Sequence, residues 1–344
     1  MEIGISMFGD LAYNHSTKSF QPAQQRLQEM LEEVRLADEV GLDVFGIGEH
    51  HRPDFSVSSP EMILAAAAGI TKNIKLTSSV TVLSSTDPVR VYQNFSTVDL
   101  LSNGRAEITV GRGSFIESFP LFGYNLNDYS GLFTEKLELL KAINENEIVN
   151  WKGKYRAPLV SQQVLPRAVD NHLDIWIAVG GTPESVVRAA KLGFPLIIAI
   201  IGGMPKQFQP FFKLYKEEYI KAGHDPAKMQ IATHSHGLIG EDSQRISDSY
   251  FPHYASQMNR IGKDRGWSAY TRDQFEGGRT RDGALFVGDV NQVTDKILYH
   301  QEMFGLTRFL LHVDVGAPSH QDLLKTIELL GTKVKPAVSK ALGQ

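Results

Sequence analysis

Short apolar runs alternate with longer segments of helical period along almost the whole chain. Residues 3–8 form a compact apolar run and predict a first strand. Residues 24–40 then repeat Leu27, Leu31, Val34 and Ala37 on one helical face and stop at Gly41. Residues 44–48 predict strand two, followed by a helix over 60–70 with Ser58 or Ser59 as N-cap. Residues 74–83, rich in Val and Thr, predict strand three. Pro88 suits the first turn of a helix that reaches about residue 101, where Ser102-Asn103-Gly104 ends it. Strand four falls at 106–110. The second half repeats the rhythm: a helix over 132–148, a hairpin over 151–165, strand five at 174–179 and a helix over 183–192. Strand six at 195–201 precedes a helix over 205–222, and strand seven at 230–239 precedes a helix over 242–261. A polar insertion loop over 262–284, a helix over 291–304, strand eight at 308–313 and a helix over 321–342 complete the chain.

Strands that alternate with helices make a parallel sheet covered by helices. Eight such units predict a closed (β/α)8 TIM barrel, with an open doubly wound sheet as the other topology. No Pro/Gly/Ser linker divides the chain, so residues 1–344 are expected to be one domain. The long gaps follow strands one, four and seven. In a barrel those loops lie at the catalytic face, which points to a lid and a substrate funnel there.

Composition narrows the function classes. The net charge is −4 with 42% hydrophobic and 22% charged residues, an ordinary enzyme balance that offers no basic block for nucleic acid or an anionic membrane. With no cysteine, disulfides, thiolate nucleophiles and cysteine metal sites are excluded. The start of the chain reads as a strand rather than a signal peptide, and no apolar run is long enough to span a bilayer, so the expected location is cytoplasmic.

Candidate chemistry gathers at the predicted C-terminal ends of the strands. Glu49-His50-His51 follows strand two and offers a general acid/base, a metal site, or a structural histidine beside a paired carboxylate. Gly111-Arg112-Gly113 ends strand four, where a guanidinium flanked by glycines can grip a phosphate, or simply occupy a turn. Gly180-Gly181-Thr182-Pro183-Glu184-Ser185 leads from strand five into a helix, and the free N–H groups there suit an anion. Together the two features imply a phosphorylated ligand whose ring system lies toward strands two and three. His234-x-His236 ends strand seven with both rings on one face, in a pocket-lining, structural or metal-binding role. Phe8, Phe115, Phe119 and Phe122 offer an apolar pocket, or plain core.

These stretches are familiar in combination. Glu49-His50-His51, Ser79-Val80-Thr81-Val82-Leu83 leading to Asp87-Pro88-Val89-Arg90, Asp99-Leu100-Leu101-Ser102-Asn103-Gly104-Arg105 and Gly111-Arg112-Gly113 closely resemble the bacterial luciferase-like flavin-dependent family. The match in order and spacing covers residues 1–125, and the Gly180-Gly181 loop extends it. The resemblance implies a (β/α)8 barrel that binds FMN or a deazaflavin. It further implies a flavin-dependent monooxygenase using reduced FMN and O2 on a small organic substrate, with an NAD(P)H:flavin reductase as supplier and a homodimer as the usual assembly. Carried over by residue, Arg112, Gly180, Gly181 and Ser185 hold the flavin phosphate, and Ser79 and Val80 are joined by a cis peptide beneath the ring system. His50 is the catalytic base near the reacting flavin; Glu49, His51, Phe115, His234 and His236 line the substrate pocket, which opens beside residues 9–22 and 111–130. No metal is expected. The family's cysteine before the phosphate arginine is replaced by Gly111, and its second phosphate-facing arginine, near residue 131, has no counterpart, which argues against light emission. Two other readings follow from the same residues: a deazaflavin-dependent hydride-transfer enzyme, and a metal-dependent hydrolase built on His50, His51, His234 and His236. A flavin-binding protein without catalysis is a further possibility within the family.

Overall fold

The computed structural model describes every residue except His15 and Ser114, and the side chain of Asp264. Eight parallel strands close on themselves: β1 (Glu2–Met7), β2 (Val44–Ile47), β3 (Lys75–Ser78), β4 (Ala106–Gly111), β5 (Asp174–Val179), β6 (Leu196–Ala199), β7 (Ile231–Ile239) and β8 (Arg308–His312). β1 pairs with both β8 and β2, and β4 pairs with β5, so no edge is left open. The predicted (β/α)8 barrel is therefore present, and the open sheet is not.

Strand parity decides what each residue does. Ile3, Ile5, Phe45, Ile47, Ile108, Ile175 and Ile177 face outward and join the large apolar core under the helices. The alternate positions fill the lumen, where Val44, Trp176, Ile197, Ala232 and Leu310 form a separate apolar plug. Space there is short. A Cβ on the inward Gly46 would stand 3.0 Å from the Cβ of Ser79.

Helices α1 (Ala23–Glu39), α2 (Pro60–Ala68), α3 (Pro88–Ser102), α4 (Tyr129–Glu145), α5 (Pro183–Leu192) and α6 (Gln209–Lys221) follow the first six strands. The local signals hold where they were strongest. Asp87 caps α3 through the amides of Val89 and Arg90, and Asn103 ends it with a left-handed φ of 58°. The hairpin after α4 pairs Ile148–Trp151 with Leu159–Gln163.

Two expectations change. The single strand over 74–83 is interrupted: β3 stops at Ser78, the Ser79–Val80 peptide is cis, and Thr81–Val82 pairs onward with β4. Residues 262–284 are not one loop, because residues 262–265 end α7 (Ser243–Arg265), and α8 (Arg272–Arg279) follows. A capping box at Thr271 and Gln274 starts α8, a side-chain signal inside a stretch read only as polar. The short strand Phe286–Gly288 then adds to the far end of β7, so α7 and α8 form an excursion above the barrel. α9 (Val290–Phe304) is the helix that returns, and α10 (His320–Leu329) follows β8. Among the described residues, no helix is long and apolar enough to cross a membrane.

Candidate active site

The C-terminal ends of the strands enclose a cavity of about 420 Å³. Ser79, Val80, Arg112, Gly180 and Ser185 line it, as do Glu49, His50, His51, Phe115, His234 and His236. Residues from β2, β3, β4, β5 and β7 thus reach one space. Gly181 is the exception among the expected residues: it is not in the lining, and its φ of 115° makes it the turn into α5. Gly180 meets no heavy atom within 4 Å where a Cβ would stand.

At one end of the cavity Arg112 leaves β4 half-buried, with its guanidinium 5.1 Å above the Tyr129 ring. Its Nη2 donates to Thr182 Oγ1 at 3.1 Å, and Thr182 Oγ1 donates to Ser185 Oγ at 2.8 Å. No side chain caps the start of α5. A guanidinium, two hydroxyls and the open N-terminus of a helix therefore converge without a carboxylate partner for Arg112 among the described residues. Such a donor set fits a phosphate dianion. Arg188, one turn after Ser185, does not line the cavity and stacks its guanidinium over Phe133 at 5.6 Å. Burial and the charge of Arg112 lower its pKa, and its Nη1 is buried with no partner. The sequence reading named Thr182 only as part of the loop that suits an anion, without a role of its own, and did not single out Tyr129 or Arg188; the i,i+3 spacing of Ser185 and Arg188 on one helix was the available signal for the last.

At the other end His50 is buried among Phe8, Phe55 and Phe115, with ring centroids at 4.5, 4.2 and 5.2 Å. Neither ring nitrogen has a hydrogen-bond partner. Burial, with the nearby His312 adding to it, pushes its pKa down to about 3. In the free site the imidazole is therefore kept neutral. Glu49 acts on the backbone and on its neighbour, since its Oε1 lies 2.9 Å from His51 Nε2 and its Oε2 accepts the amide of Val82 at 2.8 Å. The carboxylate thus holds the chain just beyond the cis peptide. Arg52 ties this loop to the one after β4 through Glu117 at 2.9 Å. Phe119 is buried core, and Phe122 packs on His51 from outside.

Below the cavity the inward positions of β1, β7 and β8 carry Ser6, His234 and His312, with Asp314 just after β8. The only grouping of metal-type donors among the described residues is Asp10, His312 and Asp314. Asp314 already accepts the amides of Phe8 at 3.0 Å and Gly9 at 2.8 Å, and the Arg26 guanidinium stands 3.4 Å away. A resident cation therefore occupies that side. The four histidines of the hydrolase reading form no such grouping among the described residues.

A second cavity of about 630 Å³ adjoins the first and shares Ile201 and His236 with it. Tyr254, Trp267 and Tyr270 supply its aromatic wall. It lies under α7 and α8, whereas residues 111–130, part of the expected substrate opening, border the first cavity through Gly111, Gly113, Phe115, Glu117, Ser118 and Tyr129.

Residues 1–307 match the family model described as luciferase-like monooxygenase. The alkanal monooxygenase alpha chain of the Kryptophanaron alfredi symbiont is 24% identical over 67% of this chain and 65% of its own. The N-acetyl-S-alkylcysteine monooxygenase of Bacillus subtilis is 30% identical over 52% of each. The solved monooxygenase RslO1 of Streptomyces bottropensis superposes with a TM-score of 0.83 at 25% identity, covering 98% of this chain and 99% of that one. The same fold, at 21% identity and TM-score 0.77 over 98% of both chains, holds FMN in the oxygenating constituent of Pseudomonas putida 3,6-diketocamphane monooxygenase. It also serves a coenzyme F420 dependent tetrahydromethanopterin reductase of Methanopyrus kandleri, at 19% identity and TM-score 0.75 over 97% of this chain and 98% of that one. The chain belongs to the luciferase-like monooxygenase family.

Proposed function

We propose that the protein is a monooxygenase that uses reduced FMN and O2 to oxygenate a small organic substrate. The observation that carries this reading is the convergence of Arg112, Thr182, Ser185 and the uncapped start of α5 at one end of a cavity whose other end holds an unpartnered imidazole. These groups, with Gly180, would hold the FMN phosphate, and Ser79 and Val80 would support the ring system. When bound in its reduced form, FMN supplies electrons and activates oxygen.

The chain's own contributions follow from the site. Phe8, Phe55 and Phe115 keep water away from His50. His50, without a competing partner, accepts a proton at a ring nitrogen only when the charge of the bound molecules offsets the burial that pushes its pKa down to about 3 in the free protein. The adjoining aromatic cavity receives the organic substrate, which reaches the first cavity past Ile201 and His236. A separate NAD(P)H-dependent reductase would supply the reduced flavin.

Spectral titration of the protein with FMN and with F420 tests the cofactor. Tight binding of FMN is expected, and binding of F420 alone would overturn the reading. Oxygen consumption dependent on reduced FMN, screened against aldehydes, alkanesulfonates, ketones and heteroaromatics, tests the reaction. His50→Ala is expected to lower turnover by about 10²–10⁴ at saturating flavin.

A further inference from the structure

The two adjoining cavities differ in charge. Arg112 lines the first. The second has Asp282 as its one lining residue of the Asp, Glu, Lys and Arg types, and so no cation, among the described residues. A sulfonate or carboxylate placed there would meet a like charge and no counter-ion, so the space suits an uncharged molecule. Its volume of about 630 Å³ falls in the range that encloses drug-sized ligands.

The walls of the second cavity are aromatic. Tyr254 and Tyr270 stand with ring centroids 5.4 Å apart, edge to face, and Trp267 joins them. Trp267 is 55% exposed and so lacks a full cover among the described residues. Arg265 stands 5.3 Å from the Trp267 ring and 5.9 Å from the Phe115 ring, which ties this wall to the first cavity, but Arg265 does not line the second.

Most polar groups of the lining are already engaged. Gln274 Oε1 accepts the Thr271 amide at 2.8 Å, Thr280 Oγ1 donates to Gly277 O at 2.7 Å, and Asp282 Oδ1 accepts from the Tyr299 hydroxyl at 3.1 Å. His236 differs. With Ile201 it lines both cavities, and so stands at the passage between them. Its Nδ1 lies 3.1 Å from the Tyr254 hydroxyl, while its Nε2 has no hydrogen-bond partner among the described residues and is not sealed off by burial.

Hydrogen-bond arithmetic favours one tautomer. Tyr254 is 1% exposed, and His236 Nδ1 is the one partner of its hydroxyl among the described residues. A hydrogen on Nδ1 would strand the phenolic hydrogen. The hydroxyl therefore donates to Nδ1, and the ring carries its hydrogen on Nε2. Burial, then His312 and His234, holds the His236 pKa well below the usual imidazole range, so the ring is neutral. A molecule at the passage thus meets one side-chain donor and, with Ile201 beside it, no side-chain acceptor. An oxygen that only accepts is satisfied there, whereas a hydroxyl or an amine is left with an unpaired hydrogen.

We propose that the second cavity takes an uncharged aromatic ketone, its rings against Trp267 and Tyr270 and its carbonyl oxygen on the Nε2–H of His236. This rests on the reading of that cavity as the place of the organic substrate, and it names the substrate class. His236 selects which end of the molecule faces the first cavity. Alkanesulfonates bring the wrong charge, and aliphatic aldehydes bring the oxygen without the ring.

The test uses the full-length protein without flavin and ligand-observed NMR titration with tetralone, tetralol, tetralin, cyclohexanone and a tetralone carboxylate. Tetralone should bind roughly fivefold more tightly than tetralin, and more tightly than the other three probes. His236→Leu should erase the preference for tetralone over tetralin, and His236→Gln, which returns an N–H near the place of Nε2, should recover part of it. Trp267→Ala should weaken tetralone and tetralin by the same factor. The wild-type series and Trp267→Ala decide the matter even if His236→Leu does not fold. Equal affinity for tetralone and tetralin, tighter binding of the carboxylate, or no binding of tetralone overturns the proposal. So does a ketone preference that survives His236→Leu, or tetralone binding that ignores Trp267→Ala. Because no flavin is present, either result leaves the FMN titration free to succeed or fail by itself.

Discussion

The two ends of the barrel treat their charges in opposite ways. At the N-terminal end Arg308 donates to Glu107 at 2.6 and 2.9 Å, pairs with Glu2 at 2.6 Å and stacks over Trp176 at 4.2 Å. Lys75 completes the group at 3.1 Å from Glu107. Burial works against ionised Glu107, but Arg308 and Lys75 hold its pKa below the usual range. At the C-terminal end Arg112 has a hydroxyl and a ring face, Arg188 has a free nitrogen, and His50 has no polar partner. The charged groups of the closed end have found their partners within the chain. Groups left incomplete in a concave site are the ones that await another molecule.

The contrast can be broken by exchanging what each end loses. The largest effect is expected at the closed end. Glu107→Ala leaves the buried Arg308 guanidinium with only the partly exposed Glu2 as a carboxylate partner, and chemical denaturation should show a loss of roughly 3 kcal/mol, while FMN affinity of the remaining folded protein stays unchanged. A mild loss there would mean that the ions are not mutually dependent. At the open end Arg112→Ala should leave stability within about 0.5 kcal/mol. Its FMN dissociation constant should rise by about thirtyfold, equivalent to about 2 kcal/mol for a charged hydrogen bond. Equal FMN affinity in Arg112→Ala and wild type would remove the phosphate assignment.

A buried base away from both ends sharpens the contrast. His300 packs against Phe286 and Phe304 with both nitrogens unpartnered, and burial, then Lys296, pushes its pKa down to about 3. The unfolded chain takes up this proton near pH 6.5 and the folded chain does not, so stability falls as pH drops from 6.5 toward 3. His300→Phe should therefore reduce the acid-side loss between pH 7 and 5 by about 2 kcal/mol. An unchanged pH profile in urea denaturation would show that His300 is protonated in the folded state. The smallest effect is expected for Thr182→Val, which removes one hydroxyl from the anion end. FMN binding should weaken by about 1 kcal/mol, roughly fivefold, with no change in the melting curve of the free protein.

Much of this arrangement was legible in the chain. Alternation along single strands was enough to place His234 and His236 on one face, and the Asp87-Pro88 and Asn103-Gly104 signals bounded α3. Glycine-flanked Arg112 and the Gly180-Gly181 turn marked the two sides of the anion end. What escaped was mostly set by tertiary neighbours. Nothing local tells that His50 sits among three phenyl rings, because Phe8, Phe55 and Phe115 come from three different loops. His312 and Asp314 share the His-x-His type of spacing at the end of β8 and could have been read by the same parity. Ser6 could not, since one serine in an apolar strand carries no distinguishing sign. The break after Ser78 was legible only through the family resemblance, which placed a cis peptide at Ser79–Val80; propensity alone gives one continuous run, because Leu76 and Thr77 before the bend and Thr81 and Val82 after it are all strand formers.

Arg112 and Thr182 stand 70 positions apart, one at the end of β4 and the other at the head of α5, across the seam where β4 meets β5. Any dianion gripped by both acts as a rivet between the two halves of the sheet. Ligand occupancy and integrity of the ring of strands are then linked by mass action, with a gain of RT ln(1 + [L]/Kd) for the folded state. If the proposed FMN binds there, loss of its phosphate tail would loosen that join first, and cofactor supply would then also govern how long each molecule survives.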